Sequence, residues 1–133
     1  MGYKVKVYYH HTDCGGMVYY ANYLHFLEDA RTEFLARRGI KVEELIRQGS
    51  FFVVSRQEVD YRSPAAYGDT LEITTRVKGV TAVRINLEHE IRKTGGGLVA
   101  EARTTLAFIG GDFRPKAIPQ QMRDNMERRE DNA

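Results

Sequence analysis

The sequence predicts an α+β fold in which a five-stranded antiparallel sheet is wrapped around one long helix. Three observations lead to this fold class. Residues 20–38 place apolar side chains at the i, i+3, i+4 and i+7 spacing of a helix. Four later segments resemble strands, and three of them alternate apolar and polar residues with a period of two. Turn residues separate these segments, which favours hairpin connections and an antiparallel sheet.

The first half of the chain predicts one strand and the long helix. The strand runs from Tyr3 to Tyr9, and a polar loop, His10 to Gly16, follows it. The helix runs from about Tyr20 to Arg38, with Asn22 as its N-cap and Gly39 as its stop signal. Its apolar stripe consists of Tyr20, Tyr23, Leu24, Leu27, Ala30, Phe34 and Leu35.

The second half predicts a short helix and four consecutive strands. The helix lies near Val42 to Arg47 and ends at Gly49. Residues 120–133 are highly charged, which indicates a surface helix or a frayed tail of a single domain spanning 1–133. The strands are predicted at Phe51 to Arg62, Leu71 to Lys78, Val83 to Arg92 and Leu98 to Phe108.

Composition narrows the classes of function. With 42% hydrophobic and 29% charged residues, the chain has the balance of a globular domain. A net charge of +2 does not indicate a nucleic-acid partner. The single cysteine, Cys14, excludes an intrachain disulfide and a cysteine-based metal cage. The longest apolar run, Met17 to Ala21, is far shorter than the ~20 residues that span a bilayer, so we expect a cytoplasmic protein without integral membrane association.

The segment around Asp13 has the residues needed for hydrolysis. Asp13 stands in a glycine-containing loop just before the long helix. The start of a helix offers unpaired backbone N–H groups that can stabilise an oxyanion. A carboxylate beside such donors can act as a nucleophile or as a base for water. Gly15 and Gly16 allow close approach of a substrate. On spacing alone, however, Asp13 is more often a turn or capping residue.

A longer pattern identifies a family. The stretch Thr12-Asp13-x-x-Gly16-x-Val18-Tyr19-Tyr20-x-Asn22-Tyr23-Leu24, followed by Glu28-x-Ala30-Arg31, resembles the signature of the 4-hydroxybenzoyl-CoA thioesterase family. It also resembles the related acyl-CoA thioesterases of the Tol-Pal cluster in bacteria. Tyr61-x-x-Pro64 and the Gly68-Asp69 turn resemble further features of the family. The resemblance covers nearly the whole chain and implies a hotdog fold.

The resemblance also implies roles for individual residues. Asp13 matches the catalytic carboxylate, and the backbone N–H of Tyr20 matches the group that polarises the thioester carbonyl. Tyr9 matches a tyrosine sometimes placed near that carboxylate. Expected substrate-binding residues are Gly16 in the loop, and Lys78 and Arg84 in a region that meets coenzyme A phosphates in some relatives. Coenzyme A is then part of the substrate, and no separate cofactor or metal is expected.

Substrate and partners follow from the same resemblance. The expected reaction is hydrolysis of a short-chain or aromatic acyl-CoA, and an acyl carrier protein is an additional candidate partner. The expected assembly is a homodimer or a homotetramer with active sites at the dimer interface. A hotdog dehydratase and a non-catalytic acyl-CoA or carrier-binding module are the alternatives. A metal site at His10 and His11, or a nucleophilic Cys14, is a weaker alternative.

Overall fold

Five antiparallel strands form one sheet in this computed structural model, which describes residues 2–128. The strands are β1 (Tyr3–Lys6), β2 (Ser50–Tyr61), β3 (Thr70–Val80), β4 (Arg84–Lys93) and β5 (Leu98–Gly110). They lie in the order β1-β3-β4-β5-β2. Along β3, β4 and β5, apolar side chains alternate towards one buried face, as the sequence predicts. The predicted α+β fold with a five-stranded antiparallel sheet and one long helix is confirmed.

Within residues 2–128, three α-helices accompany the sheet: α1 (Asn22–Arg37), α2 (Val42–Arg47) and α3 (Gln120–Glu127). The stops predicted at Gly39 and Gly49 are confirmed, since both residues have positive φ, 79° and 74°. None of the helices in residues 2–128 is long and apolar enough to cross a membrane. The buried residues of α1, which pack onto the sheet, are Tyr23, Phe26, Leu27, Ala30, Phe34 and Leu35.

The buried stripe of α1 differs from the predicted one. Tyr20 and Leu24 are 61% and 46% exposed, whereas Phe26, which the prediction omitted, is 2% exposed. The spacing of apolar residues is compatible with the predicted stripe and with the observed one. Apolar side chains cover a wide arc of the helix, and the sheet buries only part of that arc. Tyr20 and Leu24 therefore belong to an open apolar face beside the candidate site rather than to the core.

The boundaries near the N-terminus also differ from the prediction. The first strand ends at Lys6 instead of Tyr9, because the chain turns into a 3₁₀ helix at Tyr9–His11. Helix α1 begins at Asn22, with Ala21 as its N-cap residue, so the predicted capping role of Asn22 is wrong. The Asn22 side chain instead donates a hydrogen bond to the carbonyl of His11.

The charged C-terminal segment forms a helix that contributes to the core. Met126 of α3 is 1% exposed and joins the cluster that contains Phe34 and Phe108. The Arg38 guanidinium donates hydrogen bonds to the carbonyls of Asn125 and Met126 near the end of α3. A helix was therefore the correct alternative for residues 120–127, and residues 129–133 lie outside the described part of the chain.

Candidate active site

Asp13 lies at the first position of a tight turn in the loop between β1 and α1. Its Oδ1 accepts a hydrogen bond from the Gly15 N–H at 2.9 Å, and its carbonyl accepts one from the Gly16 N–H at 3.0 Å. Asp13 is exposed, and its Oδ2 has no hydrogen-bond partner within residues 2–128. The turn role and the catalytic role are therefore compatible, because Oδ1 holds the turn while Oδ2 of the exposed carboxylate has no partner among the described residues.

Two backbone N–H groups at the start of α1 are available to a ligand. Within the described residues, neither the Tyr20 N–H nor the Ala21 N–H has a hydrogen-bond acceptor. The surrounding groups are engaged: the Tyr19 N–H donates to the His11 carbonyl, and the Asn22 N–H donates to the Tyr19 carbonyl. Successive free N–H groups at the positive end of a helix dipole form a site for an oxyanion.

Gly16 and Tyr9 lie in the same loop region as Asp13. Gly16 has a φ of 78°, a conformation that favours glycine, and its carbonyl accepts a hydrogen bond from the Tyr67 N–H. The Tyr9 carbonyl accepts hydrogen bonds from both the N–H and the hydroxyl of Thr12. The Tyr9 ring packs edge-on against Tyr67, with the ring centroids 5.9 Å apart. Both residues thus support the turn that presents Asp13.

Lys78 and Arg84 lie at the opposite end of the sheet from Asp13. The loop that carries Asp13 adjoins the beginning of β3, where Lys6 pairs with Thr70 and the Val18 N–H bonds to the Ala65 carbonyl. Lys78 is eight residues farther along β3, which corresponds to about 26 Å of extended chain. Arg84 begins β4 across the next turn. One protomer does not bring these cations to its own Asp13.

Tyrosine rings form one wall beside the free N–H groups. Tyr61, the last residue of β2, has its ring centroid 6.2 Å from that of Tyr20 and 5.5 Å from that of Tyr23. Its hydroxyl donates a hydrogen bond to the Tyr20 carbonyl at 3.3 Å. The Tyr61-x-x-Pro64 pattern is visible in the sequence, but the predicted site does not include Tyr61. The pattern was an available signal, whereas its contact with α1 depends on tertiary packing.

A separate small cavity lies farther along α1. Leu24 and Arg31 are seven residues apart and fall on one face of α1, and Tyr20 precedes the helix. The cavity, of about 120 Å³, lies between α1, α2 and the beginning of β2. Arg31, Leu35, Leu45 and Phe52 are among its lining residues. The lining of this cavity therefore combines apolar side chains with the charged Arg31.

The histidines next to Asp13 are engaged in local contacts. The His11 Nδ1 accepts a hydrogen bond from the Tyr8 N–H at 2.9 Å, and its ring packs edge-on against Phe26. Burial, together with the nearby His10, lowers the pKa of His11, which favours the neutral ring that this hydrogen bond requires. Cys14 is exposed. Within residues 2–128, no group of three or more His, Cys, Asp and Glu side chains is placed to hold a metal ion.

Comparisons with known proteins agree with this fold. The chain is 33% identical to the acyl-CoA thioester hydrolase YbgC of Escherichia coli over 119 residues, covering 89% of each chain. It is 30% identical to the chloroplastic acyl-acyl carrier protein thioesterase ATL3 of Arabidopsis thaliana, covering 90% of this chain and 64% of that protein. A hypothetical protein from Thermus thermophilus superposes with a TM-score of 0.88 at 29% identity, covering 94% of this chain and 95% of the other.

The family assignment follows from the match over most of the chain. The family model described as the thioesterase-like superfamily matches residues 7–126. This range includes the Asp13 loop, the start of α1 and strands β2 to β5. The expected family, and with it the expected class of thioester hydrolase, is confirmed. The chain belongs to the thioesterase-like superfamily of hotdog-fold proteins.

Proposed function

We propose that this protein hydrolyses short-chain or aromatic acyl-CoA thioesters, with Asp13 as the carboxylate that drives the reaction. One observation carries the proposal: the exposed Asp13 carboxylate has one free oxygen and lies in a loop tied to a helix start with two free N–H groups. This combination supplies a nucleophile or base together with donors for the oxyanion. The E. coli relative named acyl-CoA thioester hydrolase supports coenzyme A as the leaving group.

The mechanism begins with the thioester carbonyl at the start of α1. Its oxygen accepts hydrogen bonds from the Tyr20 and Ala21 N–H groups, and the carbonyl carbon is attacked by the Asp13 carboxylate or by water that Asp13 deprotonates. The tetrahedral intermediate then expels the thiolate of coenzyme A. A thiol with a pKa near ~8.5 leaves without a strong general acid. The mechanism therefore requires no second proton-transfer side chain.

The assembly completes the proposal. Strand β2 lies at the edge of the sheet and exposes Val53 and Val54, at 39% and 46%. We place a homodimer contact at this edge, because the outer edge of a long strand has unpaired backbone groups that can pair with another strand. Two such dimers then form a homotetramer. When two β2 strands pair antiparallel, the partner subunit is turned end for end relative to the first subunit. Lys78 and Arg84 of the partner subunit then lie towards the end of the dimer that carries Asp13 of the first subunit. Contacts between these cations and the phosphates of a coenzyme A bound there require this arrangement.

Two further assignments belong to the same proposal. The Arabidopsis relative is named for acyl carrier protein substrates, so an acyl carrier protein is a second form in which the acyl group can arrive. We place the enzyme in the cytoplasm, where reducing conditions keep an exposed thiol such as Cys14 reduced.

The proposal is tested by following thiol release from benzoyl-CoA and from short-chain and long-chain acyl-CoAs. Asp13→Asn is expected to fold and assemble normally and to lose at least ~10²-fold in turnover. Asp112→Asn is a matched control, because the Asp112 Oδ1 also accepts a hydrogen bond from the N–H two residues later. Cys14→Ala controls for a neighbouring thiol. Both controls are expected to retain turnover.

Each alternative predicts a different result. Tight binding of acyl-CoA without thiol release indicates a non-catalytic module. Hydration of an enoyl-CoA, without thiol release, indicates a dehydratase. If Asp13→Asn retains activity within threefold of the parent, the assignment of Asp13 is wrong. Complete loss in a folded Cys14→Ala variant assigns catalysis to the thiol instead.

A further inference from the structure

Tyr61 connects the sheet to the first turn of α1. It pairs with Ala100 in the register of β2 and β5, so its side chain lies on the face of the sheet that α1 covers. The Tyr61 hydroxyl donates to the Tyr20 carbonyl at 3.3 Å, and its ring packs tilted against Tyr23. These contacts fix the phenol over the peptide that joins Tyr20 to Ala21.

The Tyr20 carbonyl and the Ala21 N–H belong to the same planar peptide unit. A hydrogen bond accepted by the carbonyl polarises this unit and makes its N–H a stronger donor. The carbonyl also accepts a hydrogen bond from the Tyr23 N–H at 3.3 Å, so two donors converge on it. The Ala21 N–H has no acceptor of its own within the described residues. The polarised donor is therefore free to bind a ligand.

We propose that Tyr61 is a positioning residue of the thioesterase site: its hydroxyl aligns and polarises the Tyr20–Ala21 peptide, making the Ala21 N–H the second donor to the thioester oxygen. The inference rests on the proposed function. Tyr61 exchanges no proton during the reaction. It acts through the peptide, and the negative charge that forms on the thioester oxygen is shared between the Tyr20 and Ala21 N–H groups.

The protonation state of Tyr61 agrees with this role. Burial, and to a smaller extent the nearby Tyr20, raises the pKa of the Tyr61 phenol. The hydroxyl therefore keeps its proton through neutral pH and remains a donor. A hydrogen bond of 3.3 Å is longer than the usual 2.7–2.8 Å between oxygens, as is common for catalytic hydrogen bonds before the substrate binds.

The kinetic test compares Tyr61→Phe with Tyr67→Phe. Phenylalanine keeps the ring contacts at position 61 and removes only the hydroxyl. Tyr67 is a matched control, because its exposed ring packs against Tyr9, away from the Tyr20 carbonyl. We expect Tyr61→Phe to lower kcat by about 5- to 10-fold with KM within twofold of the parent, because the lost bond acts mainly in the transition state. Tyr67→Phe is expected to retain the parent kcat.

A spectroscopic test needs no substrate. Tyr20–Ala21 is the only Tyr-Ala pair in the sequence, so labelling tyrosine carbonyls with ¹³C and alanine nitrogens with ¹⁵N selects one amide signal. We expect the Ala21 amide proton to move upfield in Tyr61→Phe, since a less polarised N–H is a weaker donor, and to stay in place in Tyr67→Phe.

The two tests distinguish this inference from the proposed function. Suppose that the parent hydrolyses thioesters and that Tyr61→Phe has the parent kcat, with or without a higher KM. The positioning role is then wrong, and the thioesterase assignment remains. If the parent releases no thiol from any acyl-CoA, the proposed function is wrong, and the amide signal alone decides whether Tyr61 polarises the peptide. An unchanged Ala21 signal overturns the inference in either case.

Discussion

The side-chain amide of Asn22 donates a hydrogen bond of 2.8 Å to the backbone carbonyl of His11. The same carbonyl accepts the Tyr19 N–H at 2.9 Å. His11 precedes Asp13 by two residues, and Asn22 begins α1. This pair of hydrogen bonds therefore ties the Asp13 turn to the helix start and its N–H groups, and the proposed hydrolysis depends on that relative position.

The first prediction is that Asn22→Ala lowers kcat/KM by about 10-fold, because small displacements of reacting groups are costly in rate. The free energy of unfolding is expected to fall by only about 1 kcal/mol, the usual net contribution of one hydrogen bond. Thiol release and denaturant unfolding measure the two quantities.

The matched control for this prediction is Asn86→Ala. The Asn86 Oδ1 accepts a 2.9 Å hydrogen bond from the Thr105 hydroxyl, on strands away from the Asp13 turn. Asn86→Ala is expected to lose comparable stability and to keep the parent kcat/KM. Equal activity in the two variants means that the bond between Asn22 and His11 does not position Asp13.

The regular strands and the long helix were predictable because their signals are local. Alternation over ten or more residues fixes which face of a strand is buried, as at Ile85, Leu87 and Ile91 in β4. The apolar face of Tyr20 and Leu24 was assigned to the core in error. Spacing reveals an apolar arc but not which part of that arc the sheet covers.

The residues of the candidate site also fall into two groups: those that a local sequence pattern identifies and those that only the tertiary fold reveals. Asp13 and Tyr20 lie seven positions apart in the sequence, so one motif can identify both. The separation of Lys78 from Asp13 depends on the register of β1 against β3, which the sequence does not display. Tyr61 reaches Tyr20 across 41 positions, and only the tertiary packing of β2 beside α1 reveals this contact.

The second prediction separates the side chain of Tyr20 from its backbone. Tyr20→Phe is expected to retain most activity, because the exposed phenol has no hydrogen bond within the described residues. Tyr20→Pro removes an N–H that has no acceptor in the part of the chain that the structure describes. This variant is expected to lose ~2.7–4 kcal/mol of transition-state stabilisation. Circular dichroism must show that α1 survives. A folded but inactive Tyr20→Phe variant would assign the role to the phenol.

The third prediction concerns stability and pH through His89, which is 3% exposed. The Thr104 hydroxyl donates to the Gln57 Oε1, so the His89 Nε2 must donate to Thr104, and its Nδ1 must accept from Thr75. This arrangement requires a neutral ring. Burial, assisted by the positive charge of Arg31, lowers the pKa of His89 from 6.5 to about 4.

The sign of the effect follows from linkage. Below pH 6.5 the unfolded chain binds a proton at His89 that the folded chain excludes, so stability is complete above pH 6.5 and falls towards pH 4. The His89 contribution to this fall is about 3 kcal/mol between pH 7 and pH 4. Urea unfolding of His89→Gln at each pH is expected to show a correspondingly shallower loss. Equal pH dependence in parent and variant would contradict the prediction.

The last prediction addresses how Asp13 acts, because both modes use the same N–H donors. Attack by the carboxylate forms an acyl-enzyme anhydride, whereas base catalysis directs water onto the thioester. We expect direct attack for an aromatic acyl group and attack by water for a short aliphatic one. A single turnover in ¹⁸O-labelled water, with enzyme in excess over substrate, separates the two by mass spectrometry of the product acid.

If Asp13 attacks and water then opens the anhydride at the Asp13 carbonyl, the two oxygens of the first product acid come from the thioester carbonyl and from Asp13, and none comes from water. The first benzoate from benzoyl-CoA is then unlabelled, while the peptide that contains Asp13 gains one ¹⁸O. Attack by water gives labelled product and an unlabelled Asp13 peptide. The short aliphatic substrate serves as the internal comparison on the same enzyme. Labelled benzoate together with an unlabelled Asp13 peptide excludes an anhydride that water opens at the Asp13 carbonyl, and it contradicts the expectation for the aromatic substrate.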